Sequence, residues 1–465
     1  MYFQPIINKN IISFLEKEKK FVFRLKKKIN QPFNLIFLKN LKDHVFDLKS
    51  LFESKKVNNF EIFYSLKANN SPFLVKKISE ILPIEASSPY ETELALSNNP
   101  KKLIINYTGD LKKIISILSK KLKSKTRIYL SLNSYEQYLF LEKNKLNYDF
   151  LIRIGNIENK KFASLKTSRF GFDDNLIPEI FKNIKKTFLI ENFKGLSFHV
   201  DSTSDELKRE YLKKAISLTI EALKMDFRNE ILDIGGGVRF NYINKTNWNN
   251  LTFLISKKII EGDSNFFWNN YNFGIIKKDK KIFGEGSFFP YYSDTNEFSQ
   301  INFLLDAEFE GEKAINVLND LNIKLIFEMG RFILKDIGGS LFEIEEICQK
   351  NKNHFLILNG KYSEIAAQFD IIYDPILIKI NENKTSEVSD KKIGYFIFGN
   401  TCLEDDIFFK RKIYFPQNPN KGDLLFFSNT IPYKTKIFNN SFINGNKEIN
   451  IYFDENYQLI KREVL

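Results

Sequence analysis

Lys67 stands directly after a run of strand-forming residues, in Phe63-Tyr64-Ser65-Leu66-Lys67-Ala68-Asn69. An amine held at a strand end can condense with an aldehyde, the covalent link that an aldehyde cofactor requires. On its own such a lysine is ordinarily a solvated surface side chain. Four further groups suit the same chemistry. His199 is one of three histidines in the chain. Gly235-Gly236-Gly237 follows Leu232-Asp233-Ile234, and a strand running into glycines lets backbone amides come close to a phosphate. Glu328-Met329-Gly330-Arg331 joins a carboxylate to a guanidinium, which as an isolated pair is most often a surface ion pair. Cys402, ahead of Leu403-Glu404-Asp405-Asp406, sets a thiol beside three carboxylates, although a lone cysteine usually behaves as a small hydrophobe.

Those groups become informative through the elements that must position them. From Ile62 to Arg331 short β-branched or aromatic runs alternate with longer Lys/Glu/Leu-rich stretches, the pattern of parallel strands covered by helices. Eight strands are expected, at Ile62–Leu66, Ile84–Ser87, Leu103–Tyr107, Arg127–Leu132, Phe150–Ile154, Leu196–His199, Ile231–Ile234 and Leu325–Glu328. In a (β/α)8 TIM-type barrel the carboxyl ends of the strands carry the chemistry. Lys67, His199, the glycine triplet, Glu328 and Arg331 all fall at such ends. The stretch from about 238 to 323 is too long for an ordinary βα connection and carries Trp248 and Trp268, so it reads as an insertion. Beyond Arg331 the helical period disappears. Phe342–Ile347, Phe355–Leu358, Ile376–Ile380, Tyr395–Phe398, Leu424–Phe427 and Ile449–Phe453 alternate as in antiparallel β structure, and Asn381 to Lys392 reads as a polar surface loop. The expected division is a barrel over 34–333, and a β-rich domain over 334–465 to which residues 1–33 could add strands.

Tyr64-Ser65-Leu66-Lys67-Ala68-Asn69 resembles the cofactor-lysine signature of fold-type III (alanine racemase-like) pyridoxal phosphate enzymes, the group of ornithine, arginine, diaminopimelate and carboxynorspermidine decarboxylases. The likeness recurs in order along nearly the whole chain. Gly195 through Ser202 resembles the family's histidine segment, and the resemblance implies that His199 lies against the pyridine ring and Ser202 bonds the phosphate; Asp201 stands where the family has Gly. It further implies a phosphate cradle at Gly235, Gly236 and Gly237, and a pyridine-nitrogen partner in Glu328 that keeps the ring an electron sink. Gly330 and Arg331 would serve the phosphate, with Met329 in place of the usual Pro. Thr167 through Phe172 resembles a site-lining segment that makes Arg169 a candidate. The Gly399 to Asp406 segment resembles the one that a partner subunit inserts, so Cys402 would return a proton to the substrate carbon. Asn429-Thr430-Ile431-Pro432-Tyr433, with Phe442 to Gly445, resembles the pair in which Tyr433 bonds phosphate, although Ile431-Pro432 replaces Gly-Ala.

The resemblance therefore implies pyridoxal 5′-phosphate, a homodimer with shared sites and decarboxylation of a basic or diamino amino acid. Glu404, Asp405 and Asp406 are the candidates for reading the substrate's far end, where acids would draw an ammonium group and repel a second carboxylate. Cys-Leu departs from the Cys-Glu of diaminopimelate and the Cys-Asp of ornithine decarboxylases, and it resembles the carboxynorspermidine branch as well as poorly characterised relatives that carry Cys-Leu-Glu-Asp. An amino-acid racemase of the same fold and a non-catalytic relative are the competing readings; Cys402 and Glu328 speak against the first, and retention of Lys67 and Cys402 against the second.

Composition bounds the remaining classes. At 465 residues and 54.7 kDa two domains fit. The net charge of +13, beside 47 phenylalanines, reads chiefly as the codon bias of a low-GC genome. The basic residues are scattered, so nucleic acid is not an expected partner. Two cysteines make no disulfide framework and point to a reducing, cytoplasmic setting. No export segment or membrane span is signalled, and no metal is expected.

Overall fold

The computed structural model describes the chain apart from residues 121–124, 159–167, 201–203, 264, 279–280, 284–287, 289–290, 296, 366–370, 381–391 and 434–446. It divides into two compact units. One comprises 45–239 with 295–333, and the other comprises 1–44, 240–294 and 334–465.

The first unit is a closed parallel barrel. Its strands are β1 (Phe60–Ser65), β2 (Ile84–Ala86), β3 (Lys102–Ile105), β4 (Arg127–Leu132), β5 (Asp149–Asn156), β6 (Phe193–Phe198), β7 (Ile231–Asp233) and β8 (Lys324–Met329). Each pairs in parallel with its neighbours, β8 pairs with β1, and β4–β5 completes the ring. All eight sequence-predicted strands are present; Arg127–Leu132 coincides at both ends, and the ends of the others differ by at most three residues. A short strand at Phe172–Asp173 adds to the outside of the β5 end.

The covering helices form where apolar residues recur at helical spacing. Ile177, Ile180, Phe181 and Ile184 are buried along Ile177–Lys185, and Ile114, Ile117 and Leu118 along Leu111–Lys120. Serine caps begin several helices just past the carboxyl ends of strands. Ser88 accepts from the Glu91 amide after β2, Ser134 from Gln137 after β4 and Ser204 from Leu207 after β6.

Register assigns the inward residues to three layers. At the amino end Lys102–Glu61 (2.6 Å) and Arg127–Asp149 (3.3 Å) form ion pairs. The middle layer is apolar, a cluster of Phe63, Ile104, Tyr129, Leu151, Ile231 and Ile326. The next inward positions are polar. Pairings of Ser65 with Glu85, Arg153 with Ser197 and Ser197 with Asp233 put these side chains on the interior face with Ser131 and Glu328.

The second unit is built on an eight-stranded sheet in the order Ile376–Ile378, Leu424–Ser428, Gly338–Lys350, Phe33–Phe37, Ile449–Phe453, Leu459–Val464, with Asn353–Leu358 and Tyr395–Phe398 attached through Gly338–Lys350. Most pairings are antiparallel; Phe33–Phe37 with Ile449–Phe453 and Asn353–Leu358 with Tyr395–Phe398 are parallel. The sequence allowed residues before 34 to add strands to this unit. They form instead two helices, Lys9–Lys17 and Lys19–Lys28, because Ile11, Phe14, Leu15 and Val22 recur on one face and pack with Leu35, Phe37 and Phe453. The strand starts only at Phe33.

The insertion also divides differently from the sequence-based boundary. Residues 240–294 belong with the β-rich unit, while 295–323 return to the barrel. Backbone pairing explains it: Trp268 N–H donates to Lys410 O (3.0 Å) and Lys412 N–H to Phe266 O (3.0 Å), while the Trp268 ring meets Phe355, Phe396 and Phe398 edge-on. The predicted loop at Asn381 to Lys392 lies outside the described residues except for its last member. Among the described residues no helix is long and apolar enough to cross a membrane.

Candidate active site

Lys67 sits on a single helical turn, Leu66–Ala68, between β1 and the helix Pro72–Ser79. The turn is tied from both sides. The Tyr64 hydroxyl donates to Asn69 O (2.8 Å), and Asn69 Oδ1 accepts from the Ser71 amide (2.9 Å) and hydroxyl (2.6 Å). Leu66 and Ala68 anchor it in the core and leave the Lys67 side chain exposed at the carboxyl end of the barrel.

His199, Gly235, Gly236 and Glu328 come together at the ends of β6, β7 and β8. The Gly236 amide donates to His199 Nδ1 (3.2 Å), and Glu328 Oε2 lies 3.5 Å from the same nitrogen. Gly235 has φ +66°, and a Cβ there would stand 2.6 Å from Phe198 O and 2.7 Å from His199 Nδ1; at Gly236 it would meet Glu328 O at 2.3 Å. Only glycine fits this approach. Gly235 N–H donates to Asp233 Oδ1 (2.9 Å), so the first two loop amides are turned to protein groups. Among the described residues the Gly237 amide has no partner.

A second set of residues supports the loop. Lys208, buried on the helix Asp205–Lys224, donates its ammonium to Gly236 O. Gln300 accepts from the Arg239 amide (2.9 Å) and donates to Asp205 (2.7 Å) and Gly237 O (3.4 Å), and Arg239 pairs with Asp205. Burial pushes the Lys208 ammonium down to about 8, against the pull of Asp205, Asp233 and Glu328.

Beneath the loop the polar interior layer holds three carboxyl groups, Glu85, Asp233 and Glu328, which are 0%, 1% and 2% exposed. Burial first, then the charge of Glu328, pushes Glu85 up to about 7, while Lys67 and Arg153 work the other way. Asp233 is held well above the usual carboxylate range by burial and then by Glu328. The Arg153 guanidinium donates to Asn106 Oδ1 (3.1 Å) and Asn133 Oδ1 (3.2 Å) and lies 5.0 Å over the Phe170 ring. Its burial lowers its pKa, opposed by Glu328, Glu85 and Asp233.

The remaining sequence candidates are dispersed. Gly330 O closes a turn with the Ile333 amide (3.1 Å), and Arg331 follows it half-buried. Arg169 is exposed and stacks on Phe170 at 4.5 Å. Asp201, Ser202, Thr167 and the Phe442 to Gly445 segment lie outside the described residues. Cys402, Glu404, Asp405, Asp406 and Tyr433 belong to the β-rich unit. There Cys402 and Leu403 are exposed, and Lys410 stands 3.8 Å from the exposed Asp405. Asp406 is different. Its carboxylate accepts from the Tyr362 amide (2.7 Å), the Thr401 amide (3.3 Å) and the Thr401 hydroxyl (2.6 Å). Those bonds make it the organiser of the cysteine loop. Tyr433 takes a left-handed backbone, φ +53°.

Glu85, Arg153 and Lys208 carry no role in the sequence reading. A signal for the first two exists: each is a charge set between apolar neighbours inside a strand, which demands a buried partner. Lys208 gives no such signal, because a lysine in a polar helical run reads as solvated.

The site accommodates a phosphorylated pyridine aldehyde. An exposed primary amine, an unpartnered glycine amide and a glycine wall that would clash with any side chain stand near a buried carboxylate whose Oε1 has no donor among the described residues.

Comparison with known proteins gives the same direction. The model of the pyridoxal-dependent decarboxylase, pyridoxal-binding domain matches residues 41–272. An uncharacterized protein, y4yA, of Sinorhizobium fredii is 24% identical over 448 residues, covering 94% of this chain and 91% of its own. The biosynthetic arginine decarboxylase of Prochlorococcus marinus is 28% identical over 242 residues; the match covers 46% of this chain and 37% of that enzyme, so only a little over a third of that relative is spanned. Among solved structures, diaminopimelate decarboxylase from M. jannaschii in complex with L-lysine aligns with a TM-score of 0.69 at 17% identity, covering 95% of this chain and 92% of that one.

Proposed function

The chain belongs to the fold-type III pyridoxal-dependent decarboxylases, and we propose that it removes the carboxyl group of a basic or diamino amino acid. Pyridoxal 5′-phosphate supplies an aldehyde that captures the substrate amine and a ring that accepts electrons when carbon dioxide departs. The observation that carries the proposal is Glu328, a buried carboxylate beside His199 and the glycine loop.

Each residue then has a task. Lys67 would hold the cofactor through its aldehyde carbon. Glu328 would pair with the ring nitrogen, and His199 would lie against the ring. Gly237, Gly330, Arg331 and Tyr433 hold the phosphate, with Ser202 as a further ligand. Cys402 delivers a proton to the substrate carbon, and in the proposed homodimer it comes from the partner subunit. Glu404 and Asp405 draw the cationic end of the substrate. Asp406 is left out of that set, because its oxygens are occupied by Tyr362 and Thr401.

The test is carbon dioxide release from purified cofactor-loaded protein with ornithine, lysine, arginine, meso-diaminopimelate and carboxynorspermidine. Release from one of these is expected, with Lys67→Ala losing both turnover and the cofactor's visible absorption. Racemisation without release, or full turnover in the Lys67 variant, would reject the proposal.

A further inference from the structure

Asp233 and Glu328 are buried carboxyl groups on neighbouring strands of the polar interior layer. Both side chains point to the barrel interior, since Asp233 is paired with Ile326 across β7–β8 and Glu328 lies two residues further on. Asp233 Oδ1 accepts the Gly235 amide, which fixes the carboxyl plane and directs Oδ2 elsewhere. Among the described residues neither Asp233 Oδ2 nor Glu328 Oε1 has a hydrogen-bond partner, and after burial the charge of Glu328 is the largest cause that holds Asp233 above the usual carboxylate range. A carboxylate only accepts hydrogen bonds, so a bond between two carboxyl groups requires a proton on one of them.

We propose that Asp233 is a resident carboxylic acid, which carries the proton of the pair and donates it to Glu328 Oε1 so that Glu328 remains the anion. The surrounding charges decide which partner keeps the proton. Arg153 on β5 acts first on Glu328, then on Glu85 of β2, and least on Asp233. Asp233 faces Glu328 and Glu85, with Lys208 as the nearby cation. Two anions on neighbouring strands of one buried layer are strongly unfavourable, the situation in which carboxyl pairs share one proton.

The consequence for catalysis rests on the cofactor reading above. A neutral donor on one oxygen fixes the rotamer of Glu328 and leaves its negative charge for the ring nitrogen. Asp233 is then a positioning residue that acts through Glu328. The location of the proton does not depend on the reaction and can be read in cofactor-free protein.

The experiment is infrared difference spectroscopy of the cofactor-free protein in an E85Q background, which removes the neighbouring buried acid pushed up to about 7. At neutral pH a protonated-acid carbonyl band that shifts in deuterium oxide is expected, and adding D233N should abolish it. Adding E328Q should retain an Asp233 band at a moved frequency. Asn reproduces an acceptor for Gly235 and a donor for Glu328, so D233N should fold and keep the parent's melting profile, whereas D233A should melt lower. The proposal is overturned by absence of the band in the parent, by its survival in D233N, by its complete loss in E328Q, or by failure of D233N to fold. A protein that shows the Asp233 band yet releases no carbon dioxide rejects the reaction and leaves the proton assignment standing.

Discussion

The middle and upper layers of the barrel interior are adjacent on the same strands and follow opposite rules. Phe63, Ile104, Tyr129, Leu151, Ile231 and Ile326 are a close-packed apolar plug. Two residues along their strands, Ser131, Arg153, Asp233 and Glu328, joined by Glu85 of β2 and Ser197 of β6, are almost as deeply buried but polar or ionisable. Apolar burial stabilises a fold at roughly 25 cal/mol per Å², whereas buried ionisable groups at best offset their own desolvation. The middle layer therefore holds the barrel closed, and the upper layer spends part of that stability on a fixed field beneath the cofactor. Layered side chains in a barrel core make such a partition possible, because a register change of two residues moves from one chemistry to the other.

The largest expected effect breaks the middle layer. Phe63 is fully buried, and Phe63→Ala should cost about 3–5 kcal/mol in chemical denaturation, the usual range for a buried aromatic deletion. The folded fraction should still bind cofactor. A smaller loss of stability accompanied by a larger loss of cofactor binding would show that the layers are not separable.

Glu85 tests the upper layer through pH. Its carboxyl, pushed up to about 7 in the folded protein, has an ordinary value of 4.5. Between those values the unfolded chain releases the proton while the folded protein keeps it, so stability falls as pH rises through the window. The full difference corresponds to roughly 3 kcal/mol. Glu85→Gln cannot titrate. The variant should lose that slope, gaining about this amount relative to the parent from pH 4.5 to 7 in cofactor-free urea titrations. An unchanged slope would place Glu85 outside the proton economy of the layer.

Legibility in the sequence followed how local the determinant was. The barrel strands are readable because β-branched and aromatic runs recur between helical stretches, and every one is found where such a run occurs. Their ends shift because pairing with the neighbour decides the last residue. The N-terminal helices are legible in the same way, through the helical spacing of Ile11, Phe14, Leu15 and Val22, although the expectation for that segment was strands. Allegiance of residues 240–294 to the β-rich unit is not local, since it depends on Phe266 and Trp268 meeting Lys410 and Lys412 far along the chain. The same holds for the site. Lys67, His199, the glycines and Glu328 stand in recognisable segments, but the closeness of Asp233 to Glu328 follows from β7–β8 register. Asp406 shows the converse, a carboxylate in a promising segment whose oxygens are taken by its own loop.

The finest test of the two-layer contrast converts one polar contact to the chemistry below it. Ser131 and Ser197 share a hydrogen bond of 3.0 Å across the barrel interior and are 3% and 4% exposed. Ser131→Ala leaves the Ser197 hydroxyl buried without that partner, and about 1–3 kcal/mol should be lost. Removing both hydroxyls removes the unpaired group as well, so S131A/S197A should be less destabilised than the sum of the single variants, by on the order of 1 kcal/mol in a double-mutant cycle. Strict additivity would mean that each serine answers to other partners, and that the upper layer is a set of separate polar sites. Coupling would mean that it is one network, in which the charges of Glu85, Arg153, Asp233 and Glu328 sit in a frame tied together by its hydroxyls.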